Sequence, residues 1–345
     1  MNLKLICRGI VISTLLTFGT LATTGCATDK AVISQANQAH TGLQPAVMTD
    51  AELSGYIQRV GDRIIAAAKE LNAQGYGPQG KEDKAWMFSK DMQFHFVNSK
   101  TLNAFTTGGE HMYIYTELFQ QAKTEDELAA VMSHEFAHVY GRHVQKGMNR
   151  QYTILAAAAA AGGAGYLAGG KEHGAEYAGL GAGVAAMAGQ FVGMSYTRGD
   201  EAEADKLGFA FYTHAGWDPN KFGDFFQAMI DKGYDKGPEY LSDHPSLKSR
   251  VDEAKKRASQ LPAQASQWKQ PPIANDAEFK QLQARSVAVG KTVPTDQSLA
   301  QAQQLLAALP RSCLTPAIQP DQQKAEQQVM LELKQEQEQK QQKKK

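Results

Sequence analysis

The chain is short of cysteine, of net charge and of long apolar runs, and each shortage excludes a class of protein. Three cysteines stand among 345 residues. Cys7 lies in a segment with the marks of a removable leader and Cys26 follows it directly, so Cys313 is left alone and an intramolecular disulfide scaffold is excluded. Basic and acidic side chains are equal at 36 each. No basic stripe interleaved with aromatics runs along the chain, so nucleic acid is not an expected partner. The N-terminal apolar run, Ile10 to Ala22, is 13 residues long, whereas a membrane-spanning helix needs about 20. A 34-residue repeat of the tetratricopeptide kind is missing as well.

What is there begins with targeting. Lys4 and Arg8 precede the apolar run, and small residues follow it, which is the layout of a secretory signal over 1–25. The ending TTGC resembles a bacterial lipobox, with Thr23 where leucine is usual. Cys26 is then the expected lipidation site and membrane anchor; the alternative is a plain secretory signal cut nearby. Ala27, rather than Asp, after the cysteine points to the inner face of the outer membrane. Removing Lys4 and Arg8 from the 36 basic residues leaves 34 against 36 acidic ones.

Residues 26–45 are small and polar and read as a tether. A helix is expected from Thr49, whose spacing to Glu52 suits a capping box, with Leu53, Ile57, Val60, Ile64 and Ile65 as its apolar stripe. GYGPQGKEDK at 75–84 reads as a loop, and MQFHFVNS and HMYIYT as strands joined by the turn-rich KTLNAFTTGGE. Thr124 and Glu127 announce a second helix, striped by Leu128, Val131, Met132, Phe136 and Val139, with Arg142, His143 and Lys146 at its tail. Residues 153–193 are rich in Ala and Gly and read as a tightly packed helical hairpin, with membrane contact as the lesser alternative. Helical patterns follow in RGDEAEADKLGFAFYTHAG, FGDFFQAMI and DHPSLKSRVDEAKKRAS. From 261 to 345 the chain reads as a helical appendage with a Gln/Lys-rich tail.

The chemistry concentrates in HEFAH, residues 134–138. His134 and His138 are four apart, so on a helix both imidazoles leave the same face. Glu135 sits one residue round, placed to take the proton from a zinc-activated water attacking a peptide carbonyl. The bland alternative is two ordinary histidines on an amphipathic helix. A zinc site needs a third ligand, and EAEAD at 201–205 offers Glu201, with Asp205 one turn on to hold a ligand histidine's other nitrogen. Glu203 reads as a solvated acid. In HPSLKSR, His244 is a candidate for contacting the developing oxyanion or the metal, and Arg250 for orienting acidic neighbours or substrate; a plain His–Pro helix start is the alternative. His143 reads as a cap or packing residue, and His40, His95, His111, His173 and His214 have no partner that spacing identifies.

Taken in order, HEFAH, EAEAD and HPSLKSR, preceded by LNAFTTGGEHMYIYTELF with Thr107 in place of a usual proline, resemble the HtpX/BepA-type zinc metallopeptidases, the family that includes the CAAX prenyl endopeptidases. The resemblance covers residues 46–258. It implies a mostly α fold with a small β-element (α+β) of the gluzincin type, a metallopeptidase domain over 46–260, one Zn²⁺ per chain held by His134, His138 and Glu201, and Glu135 as catalytic base. Lacking strong membrane spans, the chain looks like the periplasmic lipoprotein branch. The strand segment beside the metal suits an extended peptide added as a further strand, with Asn103, Ala104 and Phe105 as candidate substrate contacts and a structural role in fixing the turn as the alternative for Asn103.

The leading functional expectation is a lipid-anchored periplasmic endopeptidase acting on unfolded or misassembled envelope proteins. The alternative is a chaperone or assembly factor for outer-membrane proteins, working with the outer-membrane assembly machinery, in which binding outweighs cleavage. Cell-wall peptide hydrolysis is a weaker third reading, since no glycan-binding module is recognisable.

Overall fold

The computed structural model describes residues 28–78, 83–160, 196–233 and 246–309. The leader with Cys26, His173, His244, Cys313, the Ala/Gly stretch beyond residue 160 and the tail from 310 lie outside the described residues. The helices are α1 (Asp29–Leu43), α2 (Ala51–Ala73), α3 (Thr116–Gln121), α4 (Glu125–Tyr140), α5 (His143–Ala160), α6 (Arg198–His214), α7 (Asp224–Asp231), α8 (Leu247–Ser259), α9 (Asp276–Gly290) and α10 (Gln297–Ala308). Between α2 and α3 lie three strands, β1 (Gln93–Val97), β2 (Ala104–Thr106) and β3 (His111–Tyr115). The architecture is mostly α with one small sheet. Among the described residues no helix is long and apolar enough to cross a membrane.

The apolar stripe of α2 is buried from Leu53 to Leu71. Its cap is Asp50 rather than Thr49: the Asp50 carboxylate accepts the Leu53 N–H at 3.1 Å. A carboxylate at this place both caps and offsets the helix dipole, so the start moves one residue on. Thr124 does cap α4, accepting from Glu127 N at 3.4 Å, but the Glu127 carboxylate reaches back to Lys123 N at 2.8 Å instead of to the cap residue.

The sheet has the order β1-β3-β2, with β1 and β3 parallel and β2 antiparallel to β3. Its side chains alternate between two cores. Phe94, Phe96, Ala104, Met112 and Ile114 enter the main core with α2, α4, α6 and α7. Val97, Phe105, Tyr113 and Tyr115 enter a second core closed by α1 and α10. The stretch read as a tether therefore contains a packed helix: Val32, Ala36, Ala39 and Leu43 are buried, and small residues at helical spacing let α1 lie close to the sheet. Residues 261–309 carry the expected helices, packed with Phe279 and Leu282 in the main core and Leu299, Leu305 and Leu309 in the second.

One buried carboxylate fixes the start of α4. Glu125 accepts from Tyr56 Oη at 3.2 Å, Trp217 Nε1 at 3.0 Å, and the backbone N–H groups of Ile273 and Ala274, both at 2.7 Å. It thereby ties α2, the end of α6 and the chain before α9 to one helix terminus, where a negative charge also suits the dipole. Four donors are left buried if it is removed. Glu125→Ala is expected to lose about 3 kcal/mol or more of stability, counting the desolvation of orphaned donors, read as a fall in the urea midpoint; a midpoint within error of wild type would refute this role.

Candidate active site

Helices α4 and α6 cross at a glycine. A Cβ on Gly208 would lie 2.9 Å from both the Cα and the N of His134, so only glycine lets the two backbones approach this closely. The register of α6 is set by its capping box: Thr197 Oγ1 accepts from Asp200 N at 3.1 Å and Asp200 Oδ2 accepts from Thr197 N at 2.9 Å. Starting there, α6 presents Glu201 in its first turn and Asp205 one turn later, both towards α4.

His134, His138 and Glu201 are all fully buried. The two Nε2 atoms are 3.0 Å apart. Glu201 closes the third side, with Oε2 at 3.5 Å from His134 Nε2 and Oε1 at 3.7 Å from His138 Nε2. One donor atom from each residue lies within 4.8 Å of the others, so the cluster is able to hold a metal. Burial holds His138 well below the ordinary histidine pKa; the Glu201 charge opposes this, while His134, His143 and Arg250 add to it. The ring is therefore neutral, the form that ligates a metal. Two imidazoles and a carboxylate are a donor set that fits zinc. Glu135, 2 % exposed, is buried beside His134 on α4.

Each histidine is held from behind. Asp205 Oδ1 lies 2.9 Å from His134 Nδ1. Arg250 Nε and Nη2 donate to Asp205 Oδ2 and Oδ1 at 2.9 and 2.6 Å. Burial pushes the Asp205 carboxyl up, but Arg250 and His134 outweigh it and hold it below the usual range. Arg250 also lies 3.1 Å from His134 Nδ1 through Nη2; since Nε2 faces the metal cluster, Nδ1 carries the proton and Asp205 is its acceptor. The Arg250 guanidinium rests 3.9 Å over the Phe226 ring, which keeps α8 against α7.

His138 is supported by residues that sequence reading set aside. His143 is fully buried, with its Nδ1 2.9 Å from His138 Nδ1 and its Nε2 3.0 Å from Glu203 Oε2. Lys146 Nζ donates to the same Glu203 oxygen at 2.9 Å. Glu203 is thus no idle surface acid; the His143 hydrogen bond, opposed by burial and reinforced by Lys146, draws its pKa to about 2. The Tyr196 ring stacks on His138 at 3.9 Å between centroids. What hid His143 is a helix break. Sequence periodicity carries α4 through Lys146, but the chain leaves the helix at Gly141 and turns at Arg142, whose φ is 53°. The turn folds His143 back onto His138, and a Cβ on Gly141 would lie 2.4 Å from its Nε2. A glycine after a helical run is the signal that marks such an end.

Of the candidate substrate contacts, Asn103, Ala104 and Phe105 are buried on or next to β2, the edge strand that runs along α4. The Phe105 ring is committed to the second core, stacked on Tyr113 at 4.7 Å. Asn103 Oδ1 and Thr107 Oγ1 are buried without a hydrogen-bond partner. His143→Ala is expected to weaken zinc binding about tenfold to a hundredfold, the usual loss when a ligand's outer partner is removed, with the fold retained; competition with a chromophoric chelator measures it, and unchanged affinity would count against the relay.

The model of peptidase family M48 matches residues 80–258. A Vibrio cholerae relative, assigned as a beta-barrel assembly-enhancing protease, is 33 % identical over 221 residues, 63 % of this chain and 41 % of its own. The beta-barrel assembly-enhancing protease of Yersinia pestis is 30 % identical over 61 % of this chain and 40 % of its own, and that of Escherichia coli K12 29 % identical over 62 % and 41 %. The chain spans about two fifths of the length of these curated relatives. With the family model covering more than half of its residues, across both helices of the buried cluster, the chain belongs to peptidase family M48.

Proposed function

We propose that this chain is a zinc-dependent endopeptidase of the bacterial periplasm, tethered by lipid on Cys26 to the inner face of the outer membrane and acting on unfolded or misassembled envelope proteins. The observation that carries the reading is the buried trio His134, His138 and Glu201 with Glu135 beside it on the same helix. Zinc, once bound, supplies Lewis-acid activation of water and of the scissile carbonyl. The residues of the chain do the rest. The Glu135 carboxylate takes the proton from the attacking water and delivers it to the leaving amine nitrogen. Asp205 and His143 keep the two imidazoles aimed. His244 is proposed to face the developing oxyanion on the strength of its sequence position alone.

The β2 edge supports an extended peptide as substrate. Among the described residues no strand pairs with its outer side. Backbone pairing reads no side chain, which favours broad choice among unfolded chains. The relatives' names support work alongside outer-membrane protein assembly, and with it the second reading, an assembly factor in which binding outweighs cleavage. Glu135→Gln is expected to retain zinc and lose at least a hundredfold of casein cleavage, the low end of what general-base removal costs. Equal activity of variant and wild type would refute Glu135 as base; rescue of a deletion phenotype by the variant would favour the assembly reading.

A further inference from the structure

Three histidines without a partner in the sequence meet in the fold. The parallel pairing of β1 and β3 sets Gln93 against His111 and His95 against Tyr113. His95 and His111 therefore leave the same sheet face, the one turned away from the main core, one diagonal step apart. Helix α1 covers that face and brings His40 to them. Its ring stacks on that of His111, with centroids 3.9 Å apart and planes 7° from parallel, so a shared ion needs one of the two rings to turn, and its centroid lies 4.6 Å from that of His95. His95 Nε2 is 3.0 Å from His111 Nδ1, and one nitrogen from each of the three rings falls within 4.8 Å of the others.

The surroundings are those of a ligand set. His111 Nε2 lies 3.1 Å from Asn37 Oδ1; only an N–H faces an amide oxygen, so His111 Nδ1 keeps its lone pair on the side of His95. His40 Nδ1 is fixed at 3.0 Å by Tyr113 Oη, which leaves Nε2 as its second nitrogen. Far nitrogens held by polar partners are what orient metal-binding imidazoles. Burial, with the other rings adding to it, draws His95 to about 3 and His111 to about 4, and burial lowers His40 as well; each shift favours the uncharged form that ligates a metal. The cluster is not sealed. His40 and His95 border a groove of about 1250 Å³ that also touches Gln44, Gln58 and Phe94, so an ion has a route in.

We propose that His40, His95 and His111 form a second metal site, for a borderline divalent transition ion such as zinc or copper(II), separate from His134, His138 and Glu201. Three imidazole donors and no carboxylate select such an ion over calcium or magnesium. The ligands come from α1, β1 and β3, so the ion clamps the N-terminal helix to the sheet, and binding adds to the stability of the fold by mass action.

The test uses the full chain dialysed against Zn²⁺ alone, with bound metal counted by atomic emission. Wild type is expected to hold two zinc ions, His134→Ala one, and His95→Gln one. The melting temperature of His134→Ala is expected to rise with zinc, and that rise to vanish in His134→Ala/His95→Gln. If His95→Gln fails to fold, His40→Gln, at a partly exposed position, takes its place. One zinc in wild type and none in folded His134→Ala overturns the proposal, and so does zinc in His134→Ala that neither cluster substitution removes. One zinc that His134→Ala keeps and His95→Gln loses supports the second site while sinking the active-site reading.

Discussion

The contact between α4 and α6 at Gly208 is the constraint on which the site depends. A metal ligand set drawn from two helices works only if their backbones stand at a fixed distance, and the missing side chain at Gly208 sets it: His134 Cα and N occupy the space a Cβ would need. From that contact follow the depth of Glu201, its approach to both Nε2 atoms, and the pairing of Asp205 with His134 one turn further along. The ends of the helices are pinned separately, α4 by Glu125 and its four donors, α6 by the Thr197–Asp200 box.

A second layer gives each imidazole its own support, and the two differ in kind. His134 leans on a carboxylate whose charge is balanced by Arg250, entirely inside the protein. His138 leans on a second imidazole, His143, which passes the contact to Glu203 near the surface. A buried ion pair with a planar, two-pronged guanidinium is rigid. A chain from ring to half-exposed carboxylate is softer and depends on the turn at Gly141 and Arg142 staying closed. That turn is itself held from α1, since Arg142 donates three hydrogen bonds to Asp29, the shortest at 2.8 Å. The N-terminal helix is thus linked to the active site at one end and carries His40 near the other.

The sequence made visible whatever follows from regular spacing. His134 and His138 are four apart on one helix, Glu201 and Asp205 four apart on another, and the α2 and α4 stripes read directly as buried faces. What it hid depends on where helices stop and on what crosses between elements. The α4 stripe runs on smoothly in composition, so the break at Gly141 and the fold-back of His143 went unread, and Glu203, two residues from Glu201, looked like an ordinary exposed acid. The polar run before Thr49 offered few large apolar residues, yet small side chains at helical spacing were enough to seat α1. His40, His95 and His111 are separated by 55 and 16 residues, and nothing short of the parallel register of β1 and β3 brings them together.

His134, His138 and Glu201 are expected to bind one metal between α4 and α6. Crystals grown with zinc, with an anomalous difference map collected at the zinc edge, test it most directly. A peak is expected at about 2.0–2.2 Å from His134 Nε2, His138 Nε2 and a Glu201 carboxylate oxygen. A map with no peak between those three atoms, or with a peak that Glu201 does not touch, would contradict it.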